Sequence, residues 1–171
     1  MEKIIKRDYY LDQLIKRKNN GLIKIITGIR RCGKSFLLRT LFKEHLLESG
    51  VDEDHIIELA FDLFDHMEYR DPHVFYPWAI ERLADNEKYY FLPDEVQMLD
   101  EFVSVLNGLA DKKNCDVYVT GSNSKFLSTD IITEFRGRGD EIRVLPLSFT
   151  EYSSAYSGTA KEAWEEYTIY G

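Results

Sequence analysis

The amino-acid sequence predicts an α/β fold, in which a mainly parallel five-stranded sheet lies between two layers of helices as a three-layer αβα sandwich. Two observations lead to this prediction. Short apolar runs alternate with longer segments of helical periodicity along most of the chain. The runs are apolar on both faces, as strands are when helices cover both sides of a sheet. Consecutive strands of this kind are joined by crossover helices, so we expect them to lie parallel.

The first predicted elements are an amphipathic helix and a buried strand. Residues 4–18 have helical periodicity, with an apolar side formed by Ile4, Ile5, Leu11, Leu14 and Ile15. We interpret the Lys and Arg residues of this segment as a solvated helix face, with phosphate contact as the alternative. "NNG" at 19–21 ends the helix, because Gly21 suits a left-handed cap. "LIKIIT" at 22–27 then predicts a short strand.

The remaining elements alternate regularly along the chain. Further strands are predicted at 55–61, 89–92, 115–121 and 141–147. Helices are predicted between and after them, at 35–48, 72–84, 99–110, 124–134, 149–156 and 160–169. In open sheets built this way, ligands bind at the carboxyl ends of the strands, which is therefore where functional residues are expected.

Length, composition and charge limit the classes of function. The chain has 171 residues, 44% of them hydrophobic and 30% charged, as expected for one globular domain with a substantial core. It has neither a membrane-length apolar stretch nor a secretory signal, so we expect a cytoplasmic protein without a membrane partner. The net charge of −8 argues against general nucleic-acid binding, although residues 1–31 hold nine Lys or Arg against three Asp or Glu. The histidines and cysteines have no metal-ligand spacing.

The first strand runs directly into "GIRRCGKS", residues 28–35, which matches G-x-x-x-x-G-K-[ST] between a strand and a helix. The glycines allow the backbone N–H groups to point inward, and with the helix N-terminus they form a cradle for phosphates. Lys34 is expected to reach the β- and γ-phosphates, and Ser35 to ligate Mg²⁺. The predicted nucleotide-binding residues are Gly28, Ile29, Arg30, Arg31, Cys32, Gly33, Lys34, Ser35 and Phe36.

The third strand ends in two adjacent acids within "YYFLPDEVQ", residues 89–97. Asp94 is predicted to hold the Mg²⁺ shell, and Glu95 to activate the attacking water as a general base. Adjacent Asp-Glu is typical of one large class of P-loop ATPases, whereas the alternative is that both acids merely start a turn. Pro93 complicates the prediction, because proline donates no ladder hydrogen bond and is normally excluded from central strands. It can be tolerated if pairing on that side has already ended at residue 92, but its fixed φ beside the metal acid could still displace Asp94 or Glu95.

Two further motifs carry polar residues that could act on the phosphates. "VTGSNS" follows the fourth strand, and Asn123 is the first candidate to bind the γ-phosphate or orient water, with Ser122 and Thr120 behind it. Helix capping is the alternative role there. "EFRGRGDEI" precedes the fifth strand and offers Arg138, or else Arg136, as an arginine finger that stabilises phosphate charge. A solvated loop is the alternative there.

Taken together, these motifs resemble the AAA-type ATPase superfamily, and more narrowly the prokaryotic predicted ATPases that carry a C-terminal domain of unknown function. The landmarks, which span nearly the whole chain, are "GIRRCGKS", "PDEVQ", "VTGSNS", "EFRGRGDEI" and "LPLSFTEY". The resemblance implies a P-loop NTPase fold with strand order 5-1-4-3-2, ATP with Mg²⁺, and the sensor and finger roles given above. Family members usually have an aliphatic residue where Pro93 stands, and their chains usually continue further.

The expected organisation is one ATPase domain over residues 1–171. It comprises an N-terminal helix at 1–20, a nucleotide-binding core at 21–148 and the truncated start of a C-terminal helical part at 149–171. The leading hypothesis is a domain that binds and hydrolyses ATP, with ATP and ADP as its ligands, and converts the state of the γ-phosphate into motion or assembly. A nucleotide-dependent interaction module with little turnover and a P-loop kinase are the alternatives. A second copy or a neighbour that supplies an arginine, an unidentified protein partner and nucleic acid all stay open as partners.

Overall fold

The computed structural model describes residues 4–122, 131–135 and 137–170. Within them, five parallel strands form one sheet in the order β2-β3-β4-β1-β5. The strands are β1 Ile23–Thr27, β2 Ile56–Ala60, β3 Tyr89–Asp94, β4 Cys115–Thr120 and β5 Gly139–Arg143. The predicted α/β sandwich and the strand order 5-1-4-3-2 are therefore confirmed.

Helices flank the sheet on both faces. Their bounds are α1 Asp8–Lys16, α2 Lys34–Phe36, α3 Lys43–Glu48, α4 Pro72–Glu81, α5 Phe102–Ala110, α6 Ile131–Glu134, α7 Phe149–Ala155 and α8 Ala160–Tyr170. A π-helical stretch, Leu37–Phe42, joins α2 to α3, so the helix predicted at 35–48 is continuous but changes its winding. No helix within the described ranges is long and apolar enough to cross a membrane.

Two apolar cores lie on opposite faces of the sheet. On one face, α4 and α5 cover the strands, and the buried side chains include Phe75, Phe91, Leu106 and Val119. On the other face, α1 and the α2–α3 helix cover them, with Leu14, Phe42, Leu92 and Tyr118 among the buried residues. Strands β1 to β4 thus contribute residues to both cores, which explains why they read as continuous apolar runs, whereas β5 buries only Ile142.

The N-terminal helix differs from its prediction. It begins at Asp8 rather than at residue 4, and Ile4 is 54% exposed, so its assignment to the apolar helix side was wrong. The interpretation of the basic residues as one solvated face was also wrong at Arg7, which is buried. The chain before α1 is not helical, and Arg7 there is buried against the phosphate loop and α7.

Pro93 lies inside β3, and the pairing pattern shows why the strand tolerates it. The β3–β4 register runs from Tyr89↔Cys115 to Phe91↔Val117, whereas on the other side β3 stays paired with β2 as far as Ala60↔Asp94. The Tyr89 N–H donates towards β4. Because the backbone groups of successive residues in a strand face its two neighbouring strands alternately, the backbone of Pro93 also faces β4. The missing N–H therefore falls beyond the last β4 pair, which is the condition expected from the sequence.

Candidate functional site

The loop between β1 and α2 has the backbone geometry of a phosphate-binding loop. Gly28, Arg31 and Gly33 have φ values of 146°, 65° and 91°. A Cβ on Gly28 would lie 2.3 Å from the Val144 carbonyl oxygen, so only glycine fits where the loop passes β5. The side chains at the loop tip point outward, and those of Ile29, Arg30 and Arg31 are exposed.

Lys34 is buried at the base of this loop. Its Nζ donates to the carbonyl oxygens of Gly28 and Ile29 at 3.0 and 2.9 Å. Its charge therefore lies inside the curve of the loop, where an anionic phosphate would replace the carbonyl oxygens as its partner. The structure thus places Lys34 where the motif predicts it, with Gly33 as the residue that precedes the helix.

The two halves of the predicted site meet at Ser35 and Asp94, which are 59 residues apart in sequence. Ser35 Oγ donates to Asp94 Oδ1 at 3.0 Å, and the Thr120 hydroxyl at the end of β4 donates to the same oxygen. Helix α2, which follows β1 and the loop, and the ends of β3 and β4 thus bring one polar group each to a single point. A hydroxyl and a carboxylate oxygen in contact match the hard oxygen donors that Mg²⁺ prefers.

Asp94 is buried, and this burial raises the pKa of its carboxyl group above the ordinary value. The hydrogen bonds from Thr120 and Ser35 act in the opposite direction and offset part of the rise. A nearby cation would favour the ionised form further. Burial therefore destabilises the ionised form of Asp94, and a bound cation would stabilise that form.

Glu95 follows in a different orientation. Its φ and ψ of 55° and 47° are left-handed, so the chain turns sharply after Asp94 and directs the two acids differently. Its backbone N–H donates to Thr120 Oγ1 at 3.0 Å, and Ser122 Oγ donates to Glu95 Oε2 at 2.7 Å. The Gln97 side-chain amide donates to the same carboxylate oxygen. The Glu95 carboxylate is half-buried and held by hydroxyl and amide donors rather than by a cation.

A cavity of about 310 Å³ adjoins the loop next to Gly33. Its volume falls within the range of small-molecule pockets, and much of its lining is aliphatic or aromatic. The apolar contributors are Ile4, Ile5, Phe36 and Leu147. Arg7, Arg31 and Cys32 supply the polar and backbone part of the lining.

The structure does not bring Arg138 to the loop of its own chain. The Arg138 carbonyl accepts from Ile23 N at 2.7 Å, which places it at the start of β1, whereas the loop follows the end of that strand. Its guanidinium pairs with Asp111 at 2.7 Å. Arg138 is therefore on the opposite edge of the sheet. Asn123 and Arg136 lie outside the described residues.

Sequence reasoning undervalued two of the residues that shape the site. Thr120 ranked behind Asn123, yet its hydroxyl contacts Asp94 and its oxygen accepts from the Glu95 backbone. A hydroxyl as the last residue of a strand beside the acidic strand could have indicated this role. Gln97 was not considered at all, and nothing in its sequence context distinguishes it.

Comparison with known sequences identifies relatives over most of the chain. Residues 20–153 match a family described as an AAA domain. An uncharacterized protein of Haemophilus influenzae is 36% identical over 174 residues, covering 98% of this chain and 43% of that protein. An uncharacterized protein of Methanocaldococcus jannaschii is 30% identical over 154 residues, covering 88% of this chain and 31% of that protein. The chain thus spans less than half the length of either relative.

Solved structures with a similar fold include proteins with ORC and Cdc6 names. Cdc6p from Pyrobaculum aerophilum superposes with a TM-score of 0.61 at 13% identity, covering 90% of this chain and 49% of that chain. The Aeropyrum pernix ORC1 protein, solved in complex with DNA, gives 0.59 at 12% identity, with 97% and 51% covered. PCH-2 of C. elegans gives 0.58 at 16% identity, with 85% and 43% covered. At these identities the likeness concerns the fold alone.

Proposed function

The chain belongs to the AAA domain family, and from that premise we propose that it binds ATP with Mg²⁺ and hydrolyses it to ADP and phosphate. One observation carries the proposal. Ser35 of the phosphate loop and Asp94 of the acidic strand are in direct contact at 3.0 Å, although they come from distant parts of the sequence. A phosphate loop alone would bind an anion, whereas the loop together with Asp94 can bind a nucleotide and the cation that accompanies its phosphates.

Each half of the site has a separate role in this proposal. Lys34 and the loop N–H groups would bind the phosphates, and Ser35 and Asp94 are the residues that would hold Mg²⁺. Magnesium would neutralise charge on the phosphate oxygens. The donor set fits this ion, since both side chains offer oxygen and the Asp94 carboxyl lacks a cationic hydrogen-bond partner among the described residues.

Glu95 is the proposed general base. A base must accept a proton from water, so its carboxylate has to be ionised and near the phosphate side of the sheet. Glu95 adjoins Asp94 at the carboxyl end of β3, and Ser122 and Gln97 keep its carboxylate oriented by donating to one oxygen. Within the described residues the second carboxylate oxygen accepts no hydrogen bond, so it can accept one from a water molecule.

The cavity beside Gly33 is the proposed site for the base of the nucleotide. It adjoins the phosphate loop, and its apolar lining from Ile4, Ile5, Phe36 and Leu147 suits a planar aromatic ring. The sequence contains no N-K-x-D stretch of the kind that reads guanine. Adenine is therefore the favoured base.

Calorimetric titration with ATP and Mg²⁺ tests the binding half of the proposal. Wild-type protein should bind, and Lys34→Ala should lose binding by ~100-fold or more, because a buried charge-assisted contact to phosphate is removed. Lys16→Ala is the matched control, since Lys16 pairs only with Asp12 on the exposed face of α1. Equal affinity in Lys34→Ala and Lys16→Ala would refute the proposed phosphate site.

A nucleotide-dependent interaction module with little turnover is the second candidate. The position of Arg138 favours it, because this candidate finger lies on the edge of the sheet away from its own loop. A chain without a neighbour would then hold ATP but lack the arginine that stabilises phosphate charge during transfer. Rapid phosphate release by dilute monomer would argue against this alternative.

A further inference from the structure

Arg7 is the most highly connected buried charge near the phosphate loop. It is 2% exposed, which is rare for arginine unless every donor is satisfied. Its Nη1 donates to the Cys32 carbonyl oxygen at 2.6 Å, and its Nη2 donates to the Leu145 carbonyl oxygen at 2.9 Å. Its Nε pairs with Glu151 Oε1 at 3.0 Å. One side chain therefore joins the N-terminal segment, the phosphate loop, the chain after β5 and α7.

An aromatic ring also restrains the flat face of the Arg7 guanidinium. It stacks over the Tyr10 ring at 4.5 Å, and the Tyr10 hydroxyl accepts from Leu145 N at 3.1 Å. A Cβ on Gly33 would lie 3.5 Å from Arg7 Nη1, so the guanidinium lies directly behind the last glycine of the loop. Because stacking and hydrogen bonds restrain it in every direction, Arg7 can hold the Cys32 carbonyl in one orientation.

Glu151 extends these contacts into the C-terminal helices. It is the third residue of α7, where its carboxylate accepts from Ser148 N at 2.8 Å in a capping box. Burial alone would raise the pKa of Glu151, but the hydrogen bonds from Ser148 and Arg7 outweigh burial and lower it. The carboxylate is therefore ionised at neutral pH, and Arg7 and Glu151 form a true ion pair.

The helix that carries Glu151 is itself bound to α8. Phe149 packs edge-on against Trp164 at 5.0 Å, and the Tyr167 hydroxyl donates to the Leu147 carbonyl oxygen at 2.7 Å. A displacement of α7 would therefore move α8, and the Arg7–Glu151 pair is the direct link between this helix pair and the loop backbone.

We propose that Arg7 is a positioning residue of the phosphate loop, and that its pair with Glu151 couples nucleotide binding to the α7–α8 helix pair. This inference rests on the proposed function. An anion cradle requires the loop N–H groups to converge, and a carbonyl held on the outer side helps to keep them inward. A lysine cannot replace Arg7, because one ammonium group cannot reproduce the planar fork that spans three acceptors.

Binding measurements test the positioning role. Arg7→Gln and Arg7→Lys should both bind Mg·ATP ~10-fold to ~100-fold more weakly than wild type, since charge-assisted hydrogen bonds to the loop are lost. Arg17→Gln is the matched control, because Arg17 also pairs with a carboxylate, Asp140 at 2.9 Å, but does not contact the loop. If Arg7→Gln does not fold, Arg7→Lys and Glu151→Gln provide the test, with circular dichroism as the check on folding.

A fluorescence measurement tests the coupling. Trp78 and Trp164 are the two tryptophans, so Trp78→Phe leaves Trp164 on α8 as the reporter. Saturating Mg·ATP should change the Trp164 emission in this background. The change should fall at least twofold when Glu151→Gln is added, even though ATP still saturates the site. If Arg7 and Glu151 only stabilised the fold, Glu151→Gln would leave the change in Trp164 emission on ATP binding intact.

Two results would overturn the inference while leaving the proposed function intact. One is Mg·ATP affinity of both Arg7 variants within twofold of Arg17→Gln. The other is a Trp164 response to saturating ATP that Glu151→Gln leaves unchanged, or that is absent in a wild type that binds ATP. Absence of ATP binding in the wild type would instead refute the proposed function itself.

Discussion

At the scale of single residues, Pro93 shows how a residue with unfavourable propensity can lie in a paired strand, β3, next to the two acids. A proline in a parallel central strand removes one ladder hydrogen bond. Here the bond it removes would lie towards β4, beyond the Phe91↔Val117 pair, whereas pairing with β2 continues to Asp94. Asp94 consequently keeps its contact with Ser35 at 3.0 Å. Proline in this position does not displace the acid.

Pro93→Leu should therefore leave ATP turnover nearly unchanged. The restored N–H faces β4 beyond the last paired residue, so we expect the free energy of unfolding to change by less than ~0.5 kcal/mol, the lower end of what one hydrogen bond contributes. Phosphate release and urea unfolding measure the two effects on the same preparation. A tenfold or larger rise in turnover would show that the proline does misplace Asp94 or Glu95.

The buried Lys24–Asp116 pair is the second residue-scale feature. Both side chains are buried between β1 and β4, and Lys24 Nζ also donates to the Leu22 carbonyl oxygen at 2.8 Å. Burial lowers the pKa of Lys24, although Asp116 opposes that shift. Lys24→Met should lower the free energy of unfolding by ~3–5 kcal/mol, because Asp116 is left buried without its cation, although it still accepts from Asn19 N at 2.9 Å.

The double variant Lys24→Met/Asp116→Leu is the control for this prediction. Removing both charges should recover most of the lost stability, since an apolar pair of similar volume carries no desolvation cost. Urea unfolding of the two single variants and the double variant gives the coupling between them. Additive losses would contradict the account of a mutually dependent pair.

Cys115 provides a prediction about pH. Burial raises the pKa of its thiol from an ordinary 9.0 to about 12, with the Asp116 charge as the second cause. The folded pKa is the higher one, so the thiol favours folding below pH 9 and this contribution is lost as the pH rises from 9 towards 12. At pH 8 the native protein should alkylate at Cys115 far more slowly than the protein in urea, as peptide mapping would show. Equal rates would contradict the burial.

At the scale of elements, the sequence predicted most of the fold because both faces of each strand are covered. Apolar runs located all five strands, although β5 begins at Gly139 and ends at Arg143 rather than spanning 141–147. Its polar start could not be read as a strand, since Asp140 is held by Arg17 and Asn20 through contacts more than 100 residues apart in sequence. Long-range side-chain contacts of this kind leave no local pattern.

The site was predicted to a similar extent. Motif spacing placed Lys34, Ser35 and Asp94 together, because the carboxyl ends of parallel strands share one edge of the sheet. Arg7 was missed, since periodicity assigned it to a helix that in fact begins one residue later. Its partners are backbone carbonyls of distant segments, and the identity of a carbonyl partner is not encoded in any residue type.

The contact of the phosphate loop with β5 gives an element-scale prediction. A Cβ at Gly28 would lie 2.3 Å from the Val144 backbone oxygen, and backbone cannot move aside as a flexible side chain can. Gly28→Ala should therefore displace the loop from β5 and weaken ATP binding by ~100-fold or more, as a displacement of ~1 Å can do in an organised site.

Gly21→Ala is the matched control. Gly21 also has a positive φ, at 77°, but a Cβ there meets nothing within 4 Å. Its substitution should cost ~1 kcal/mol of stability from backbone strain and leave ATP affinity unchanged. Calorimetry compares the two variants, and similar affinities would show that the close approach of the loop to β5 does not matter for binding.

At the scale of the whole molecule, Arg138 lies at the edge of the sheet opposite the proposed nucleotide site. Arg138 is paired with Asp111 in an exposed contact, which stabilises little and can be exchanged for another partner. If Arg138 serves a neighbouring copy, specific activity should rise with protein concentration, and Arg138→Ala should lower it ~10³-fold or more, the effect expected of an arginine finger.

Mixing distinguishes this arrangement from a local defect. Arg138→Ala subunits have intact phosphate loops, and Lys34→Ala subunits retain their arginine. A mixture of the two should therefore regain activity that neither variant has alone. Activity that is independent of concentration, together with no recovery on mixing, would contradict a finger supplied by a neighbour.

The most direct test of the central claim follows ATP binding by calorimetry and phosphate release on one sample of wild type and of Glu95→Gln. In the proposed site, Ser35 and Asp94 bind the nucleotide with its cation and Glu95 activates water. Both proteins should therefore bind Mg·ATP with similar affinity, and phosphate release in Glu95→Gln should fall by ~10²-fold to ~10⁴-fold. Equal phosphate release by the two proteins, or no binding by the wild type, would contradict that claim.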